Sequence, residues 1–173
     1  MSDFLDEMTG CVPALRRYAR ALTRDLDRAD DLVQDCLERA IRKRSLWRPT
    51  GPLQAWLFRM LLNLYRNDLR QRRRGGGAAV PLDGLAIEPS VPAAQHGRLA
   101  LVEMERALAT LPDDQREALL LVVLEGVSYA EAAHILGIPP GTLMSRLGRA
   151  RAALRLATGS GTTPEPLRLR TVK

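Results

Sequence analysis

The stretch from Ser128 to Leu156, SYAEAAHILGIPPGTLMSRLGRARAALRL, leaves this chain the fewest ways to fold. Ser128 with Glu131 three places on forms a capping box, which predicts a helix starting at Tyr129. Ala130, Ala133, Ile135 and Leu136 are its small and apolar positions. Gly137 can take the left-handed conformation that ends a helix, and Pro139-Pro140 prevents its continuation. A second helix starts near Pro140, because proline is tolerated in a first turn. Along it Leu143, Leu147, Ala150 and Leu154 form one narrow seam that must pack on the first helix. Gly141, Ser145, Gly148, Arg149 and Ala152 point away from that seam, flanked by Arg146, Arg151 and Arg155. Small outward residues allow close approach to a major groove, and arginines reach phosphates or guanine edges. An ordinary helical hairpin with a solvated basic face would share the pattern. A second helix with arginines and no acid favours a DNA-binding helix-turn-helix.

The remaining chain is compatible with helices throughout. Its 173 residues suffice for one ordinary domain or two small helical ones. Aromatic residues make up only 4%, so the cores must come from Leu, Ala, Val and Ile, which suits helix-on-helix packing and argues against a large sheet. The net charge is +6 and nearly all the cations are arginines, a bias towards phosphate contact that a GC-rich genome would also produce. No apolar run approaches the roughly 20 residues that span a bilayer. Met1-Ser2-Asp3 opens without a basic n-region, so membrane insertion is not expected and a cytoplasmic location is. Cys11 and Cys36 make no disulfide framework, and Cys36 falls in line with the apolar positions of a helix.

Five further helices can be placed upstream. From Val12 to Thr23, Leu15, Tyr18, Ala19 and Leu22 share one side. From Arg28 to Arg44 a broad stripe of Ala29, Leu32, Val33, Cys36, Leu37, Ala40 and Ile41 leaves Asp31, Gln34, Asp35 and Glu38 as an acidic, amide-bearing face. By pattern alone that face is simply solvated. Ser45 to Gln54 is a loop by composition, and a long helix runs from Leu53 to about Arg74. Its seam is Leu53, Trp56, Leu57, Met60, Leu61, Leu64 and Tyr65 or Asp68, opposite Arg59, Asn63, Arg66, Asn67 and Arg70. Arginines in a last turn complement the helix dipole. Six arginines from Arg59 to Arg74 against the single acid Asp68 exceed that need and mark an electrostatic footprint for nucleic acid. Residues 75–97, rich in Gly, Pro and Ala, read as a flexible linker between the module at 1–74 and that at 98–156. Leu99, Val102, Ala107, Leu108 and Leu111 place a helix before Pro112, and Asp113 or Asp114 caps another whose apolar run from Ala118 to Leu124 is expected to be buried. Residues 157–173 are expected to be a disordered tail.

No Walker-type loop, dinucleotide fingerprint or nucleophile elbow occurs, and His96 and His134 lack neighbours at metal-ligand spacing. The expectation is a protein that acts by binding, without enzymatic activity, cofactor or metal.

In order and spacing, DRADDLVQDCLERA at Asp27–Ala40, LQAWLFRMLLNLYRNDLRQRRR at Leu53–Arg74 and LPDDQREALLLVVLEGVSYAEAAHILGIPPGTLMSRLGRARAAL at Leu111–Leu154 resemble a group IV, extracytoplasmic-function σ factor of bacterial RNA polymerase. The resemblance implies an all-α chain of two small helical domains, σ2-like and σ4-like, that acts as an alternative σ factor in promoter-specific initiation. Asp31, Gln34, Asp35 and Glu38 would then dock on the β′ clamp helices of core polymerase, reversing the solvated reading, and the β flap would be a second contact. Ser45 to Gln54 and the helix from Leu53 would recognise and open the −10 element, with Arg59, Asn63, Arg66, Asn67 and Arg70 near single-stranded DNA. Trp56 and Leu57 match the family's core positions. The linker would thread towards the polymerase's active-site and RNA-exit path, where Asp83 and Glu88 either mimic RNA charge or merely keep it soluble. The last helix would read double-stranded −35 DNA through Met144, Ser145, Gly148 and Arg149, with Arg146 and Arg151 on the backbone. Met144 and Gly148 depart from the larger polar residues common there, so specificity should lean on Ser145 and Arg149. Such factors are commonly held inactive by an anti-σ partner, which is expected here too.

Three rivals are weaker. A helix-turn-helix regulator binding an operator as a dimer would not need the DDLVQD and AWL segments. A σ-like decoy that binds only an anti-σ factor would not need the arginines of both DNA helices. A nucleic-acid-processing enzyme would need paired carboxylates or a metal cluster.

Overall fold

A computed structural model describes residues 2–48, 51–74 and 95–159, and every regular element among them is helical. The order is α1 (Ser2–Thr23), α2 (Leu26–Arg42), a 3-10 turn at Arg44–Leu46, α3 (Leu53–Arg74), α4 (Gln95–Thr110), α5 (Asp113–Val123), α6 (Tyr129–Leu136) and α7 (Pro140–Ala157). Among the described residues no helix is long and apolar enough to cross a membrane. The expected tail, apart from its first residues, and most of the expected linker, including Asp83 and Glu88, lie outside the described residues, and α4 already begins at Gln95.

In the N-terminal half, α1 starts far earlier than Val12 and passes through Pro13. The buried positions Met8, Cys11, Leu15, Tyr18 and Leu22 explain why: the helical stripe continues on both sides of the proline. Arg24, at φ +56°, turns the chain, and Asp25 caps α2 by accepting from the Arg28 amide at 3.0 Å. The expected α2 stripe holds except at its end, where Ile41 is exposed. On α3 the buried face is wider than a single seam, taking in Ala55, Phe58 and Leu62 as well as Leu53, Leu57, Leu61 and Tyr65. Trp56, Met60 and Leu64 are only partly buried, and Asp68 is an ion-pair residue outside the core. The physical reason is that α3 packs on α1, α2 and α6 at once, which no solitary amphipathic pattern encodes. Tyr18 and Phe58 meet edge to face at 5.3 Å in this core.

The C-terminal half keeps the expected helix-turn-helix. Ser128 Oγ accepts from the Glu131 amide at 3.2 Å, Gly137 ends α6 at φ +68°, and Pro140 opens α7. Leu143, Leu147 and Ala150 are buried and Leu154 partly so. On α6 Ala133, Ile135 and Leu136 are buried as expected, with Ala132 buried in place of the exposed Ala130. Neither Asp113 nor Asp114 caps α5; Pro112 holds that position, and Asp113 pairs instead with Arg116 and Arg73. Nor is the apolar run buried to its end, because Val123 and Leu124 are exposed.

The two halves share one apolar core, in which α1 and α3 pack on α5 and α6. Its contacts fix α3 against the helix-turn-helix, and so place the two arginine-bearing helices relative to each other.

Two glycines of the motif should respond oppositely to the same change. Gly137 needs its left-handed backbone, so Gly137→Ala should cost about 1 kcal/mol of stability. A Cβ at Gly148 meets nothing within 4 Å, so Gly148→Ala should stabilise α7 by up to about 1 kcal/mol. Urea unfolding of both variants checks the sign of each.

Candidate nucleic-acid interface

The outward face of α7 follows from its seam. With Leu143, Leu147 and Ala150 against α5 and α6, the residues Gly141, Met144, Ser145, Gly148, Arg149 and Ala152 are all exposed. Ser145 Oγ donates to the Thr142 carbonyl at 2.9 Å, which leaves only its acceptor lone pairs outward. Arg149 makes no ion pair among the described residues and is the cation at the centre of this surface. Its neighbours are tethered. Arg146 is mostly buried and lies 3.2 Å from Asp114 of α5, and Arg151 donates to the Tyr129 hydroxyl at 3.2 Å. Small and apolar side chains around one free guanidinium can approach a groove closely and make a single bidentate contact to a guanine edge or a phosphate.

On α3, Arg59, Asn63, Arg66, Asn67 and Arg70 fall within one arc, as their spacing requires. The tertiary fold then divides that arc in two. Arg59, Asn63 and Asn67 line an open groove of about 370 Å³ with Arg39, Lys43, Leu46, Trp56 and Met60. The groove is cationic and amide-rich with one half-buried indole, a surface that can follow a phosphate chain and stack a base. Arg66 and Arg70 line a second groove, of about 440 Å³, facing α5 and α7. There Arg66 donates Nη2 to Glu117 Oε2 at 2.6 Å and Nε to both carboxylate oxygens at 3.1 and 3.3 Å. The hydrogen bond to Glu117 raises the Arg66 pKa above its ordinary value. Pro49 and Thr50 of the preceding loop lie outside the described residues.

Asp31, Gln34, Asp35 and Glu38 of α2 are all exposed. Gln34 donates to Glu38 at 3.2 Å, and among the described residues none of the three acids pairs with a cation. Arg16 and Arg20 of α1 turn instead to Asp30, at 3.6 and 3.7 Å. Asp68 borders this face from α3. Burial pushes its carboxyl up, but hydrogen bonds from Arg28 and Arg72 outweigh that and hold it below the ordinary range. Burial pushes the Cys36 thiol up to about 12, so it is a core residue and no nucleophile.

Sequence reasoning missed the residues that join the two halves. Arg17 grips Glu125 through two bonds, at 2.6 and 3.0 Å, and the Glu125 side chain is fully buried. Arg116 is buried and donates to the Tyr65 hydroxyl at 3.1 Å, and the Tyr18 hydroxyl donates to the Glu117 carbonyl at 3.1 Å. The available signal was Arg116-Glu117 beside the apolar run at 118–124, where a charged pair has to find partners.

Residues 8–62 match the family described as the sigma2 domain of PhyR, and residues 101–154 match sigma-70 region 4. The chain is 45% identical over 154 residues to the ECF RNA polymerase sigma factor EcfG of Rhodopseudomonas palustris, covering 86% of this chain and 81% of that one. It is 36% identical to the ECF RNA polymerase sigma factor SigM of Mycobacterium tuberculosis, over 84% of this chain and 71% of the relative. Among solved structures it superposes on the sigma factor RpoE of Bartonella quintana, crystallised with the anti-sigma factor NepR, with a TM-score of 0.79 and 38% identity over 94% of this chain and all of the other. A second neighbour, CnrH in complex with the cytosolic domain of CnrY, gives 0.62 at 29% identity, over 86% of this chain and 82% of that one.

Asp68 offers a titration test. Its folded pKa lies below its unfolded one, so its stabilising effect is present at neutral pH and fades as pH falls through the folded value. Asp68→Asn should be less stable than the parent at pH 7 by under about 1 kcal/mol, the range for a partly exposed pair, and the gap should begin to narrow as pH falls below about 4. Denaturation at both pH values measures it.

Proposed function

We propose a division of labour within a chain that belongs to the extracytoplasmic-function σ factors of the σ-70 family. As a member it is an alternative σ factor that binds core RNA polymerase and promoter DNA and directs promoter-specific transcription initiation. It works by binding, in the cytoplasm with the polymerase, and the chemistry of initiation belongs to its partner.

In this reading the acidic face of α2, with Asp31, Gln34, Asp35 and Glu38, docks on the β′ clamp helices, and the C-terminal module meets the β flap. The absence of internal cation partners for those three acids, among the described residues, supports the assignment, since a face built for stability would be neutralised within the chain. Arg59, Asn63 and Asn67 receive the opened −10 strand in the groove beside Trp56, and Arg66 and Arg70 extend that track. Arg149 reads the −35 element, with Met144, Ser145 and Gly148 packed on the base edges around it. Arg146 and Arg151 set the position of α7 and reach the backbone from its flanks.

The observation that carries this reading is the coexistence of two separate cationic helical faces and one acidic face whose acids meet no cation among the described residues. A repressor needs only one of the three. An anti-σ partner is the remaining component, as the structural neighbour RpoE was crystallised with the anti-sigma factor NepR.

Run-off transcription with purified core polymerase and a matched promoter tests it. Arg149→Ala should reduce −35-dependent initiation about 10- to 100-fold, equivalent to the 1–3 kcal/mol of a bidentate base contact, with core affinity unchanged. Equal losses in core binding and initiation would refute the role given to Arg149.

A further inference from the structure

Two requirements on Arg66 conflict. As a −10 contact it must offer its guanidinium to a phosphate, yet its Nε and Nη2 are already committed to Glu117. The Glu117 side chain is almost wholly buried, at 3% exposure, and a carboxylate there presents to arginine the same forked acceptor as a phosphate. A DNA phosphate brought to Arg66 would meet that carboxylate at close range and be repelled. Arg73, next along the cationic end of α3, is likewise held by Asp113 at 2.6 Å. Away from either DNA helix face, Arg17 and Glu125 clasp α1 to the end of α5.

Distance compounds the conflict. Elements at −35 and −10 are separated by roughly 85 Å of duplex, taking 3.4 Å for each of roughly 25 base pairs. Here α3 packs directly against α6 of the helix-turn-helix. One arrangement cannot serve both elements. Twenty residues separate Arg74 from Gln95, a contour of up to roughly 70 Å at the extended limit, so the modules can part without breaking the chain.

We infer that this chain inhibits itself: Glu117, supported by the Asp113–Arg73 and Arg17–Glu125 pairs, acts as an internal phosphate mimic that occupies Arg66 and holds the modules in a closed form unable to engage both promoter elements at once. The acidic face of α2 stays exposed in that form, so core polymerase can dock on the closed chain. Separation of the modules then frees Arg66 for DNA. The device needs no anti-σ protein, and it rests on the placement of Arg66 at −10 DNA under Proposed function.

The test uses the full-length free chain and a promoter duplex whose −10 region is pre-melted by mismatches. Arg17 lies on no proposed DNA or polymerase face, and parting of the modules exposes the Glu125 carboxylate to water, so each module of Arg17→Ala should stay folded. Both Arg17→Ala and Glu117→Gln should raise the free chain's affinity for that DNA about fivefold or more and enlarge its radius of gyration in solution scattering. Run-off transcription by holoenzyme carrying Arg17→Ala should equal the parent. Unchanged affinity and unchanged size in both variants would overturn the latch, even where Arg66→Ala holoenzyme is defective. Arg66→Ala holoenzyme that transcribes like the parent would instead overturn the −10 placement, and the latch with it.

Discussion

The buried carboxylate of Glu117 is the constraint around which the two halves are arranged. A charged group taken out of water has to be paired, and Arg66 supplies the pairing from another helix with a forked contact. The Tyr18 hydroxyl ties the same residue through its backbone, so one position on α5 is held by both α1 and α3. Apolar packing alone would let the modules slide, because it is non-directional. Buried charges allow few registers. The second such group, Glu125, is met by Arg17 in the same manner, and the two pairs together define how α5 lies across the N-terminal helices. Burying a pair adds little net stability; what it adds here is position.

That arrangement determines what each basic helix presents. On α3 it splits one continuous face into a groove open to solvent and a stretch turned inward, although all five residues share an arc. On α7 it has no such effect, since α7 is held within its own module by α5 and α6 and keeps its outward face free. The duplex-reading face of α7 therefore stays exposed while the track for a single strand is interrupted at Arg66, so the two elements cannot be engaged together. Local tethers act on top of this. Arg146 serves α5 through Asp114, and Arg151 serves α6 through Tyr129, which leaves Arg149, among the described residues, as the untethered charge at the centre of the surface.

The acidic face of α2 shows the converse economy. Asp30, one step round the helix, takes Arg16 and Arg20 of α1, and Asp31, Asp35 and Glu38 are left without cations among the described residues. A partner that supplied positive charge would find them already exposed, and Asp68 with its two arginines marks the border between this face and the DNA-facing helix.

Local chemistry made much of this legible in the sequence. The capping box at Ser128, the left-handed Gly137, Pro140 and the seam from Leu143 to Ala150 are encoded within a few residues of where they act, and each stands where the pattern put it. So are the exposed acids of α2 and the outward face of α7, because a helix with one buried stripe must turn its other side to solvent. The α1 start, the extra buried face of α3 with Phe58 and Leu62, and the exposed Val123 and Leu124 were not legible, because each depends on which neighbour packs there. The same holds for Glu117, Glu125, Arg17 and Arg116. The sequence by itself determined the helices, their faces and their charges, since these follow from interactions spanning three or four residues. Only the tertiary structure decided which arginines are free and which are spent on the protein itself, because Arg66 meets Glu117 across 51 positions and Arg17 meets Glu125 across 108. Pairings at such separation leave no period in the chain.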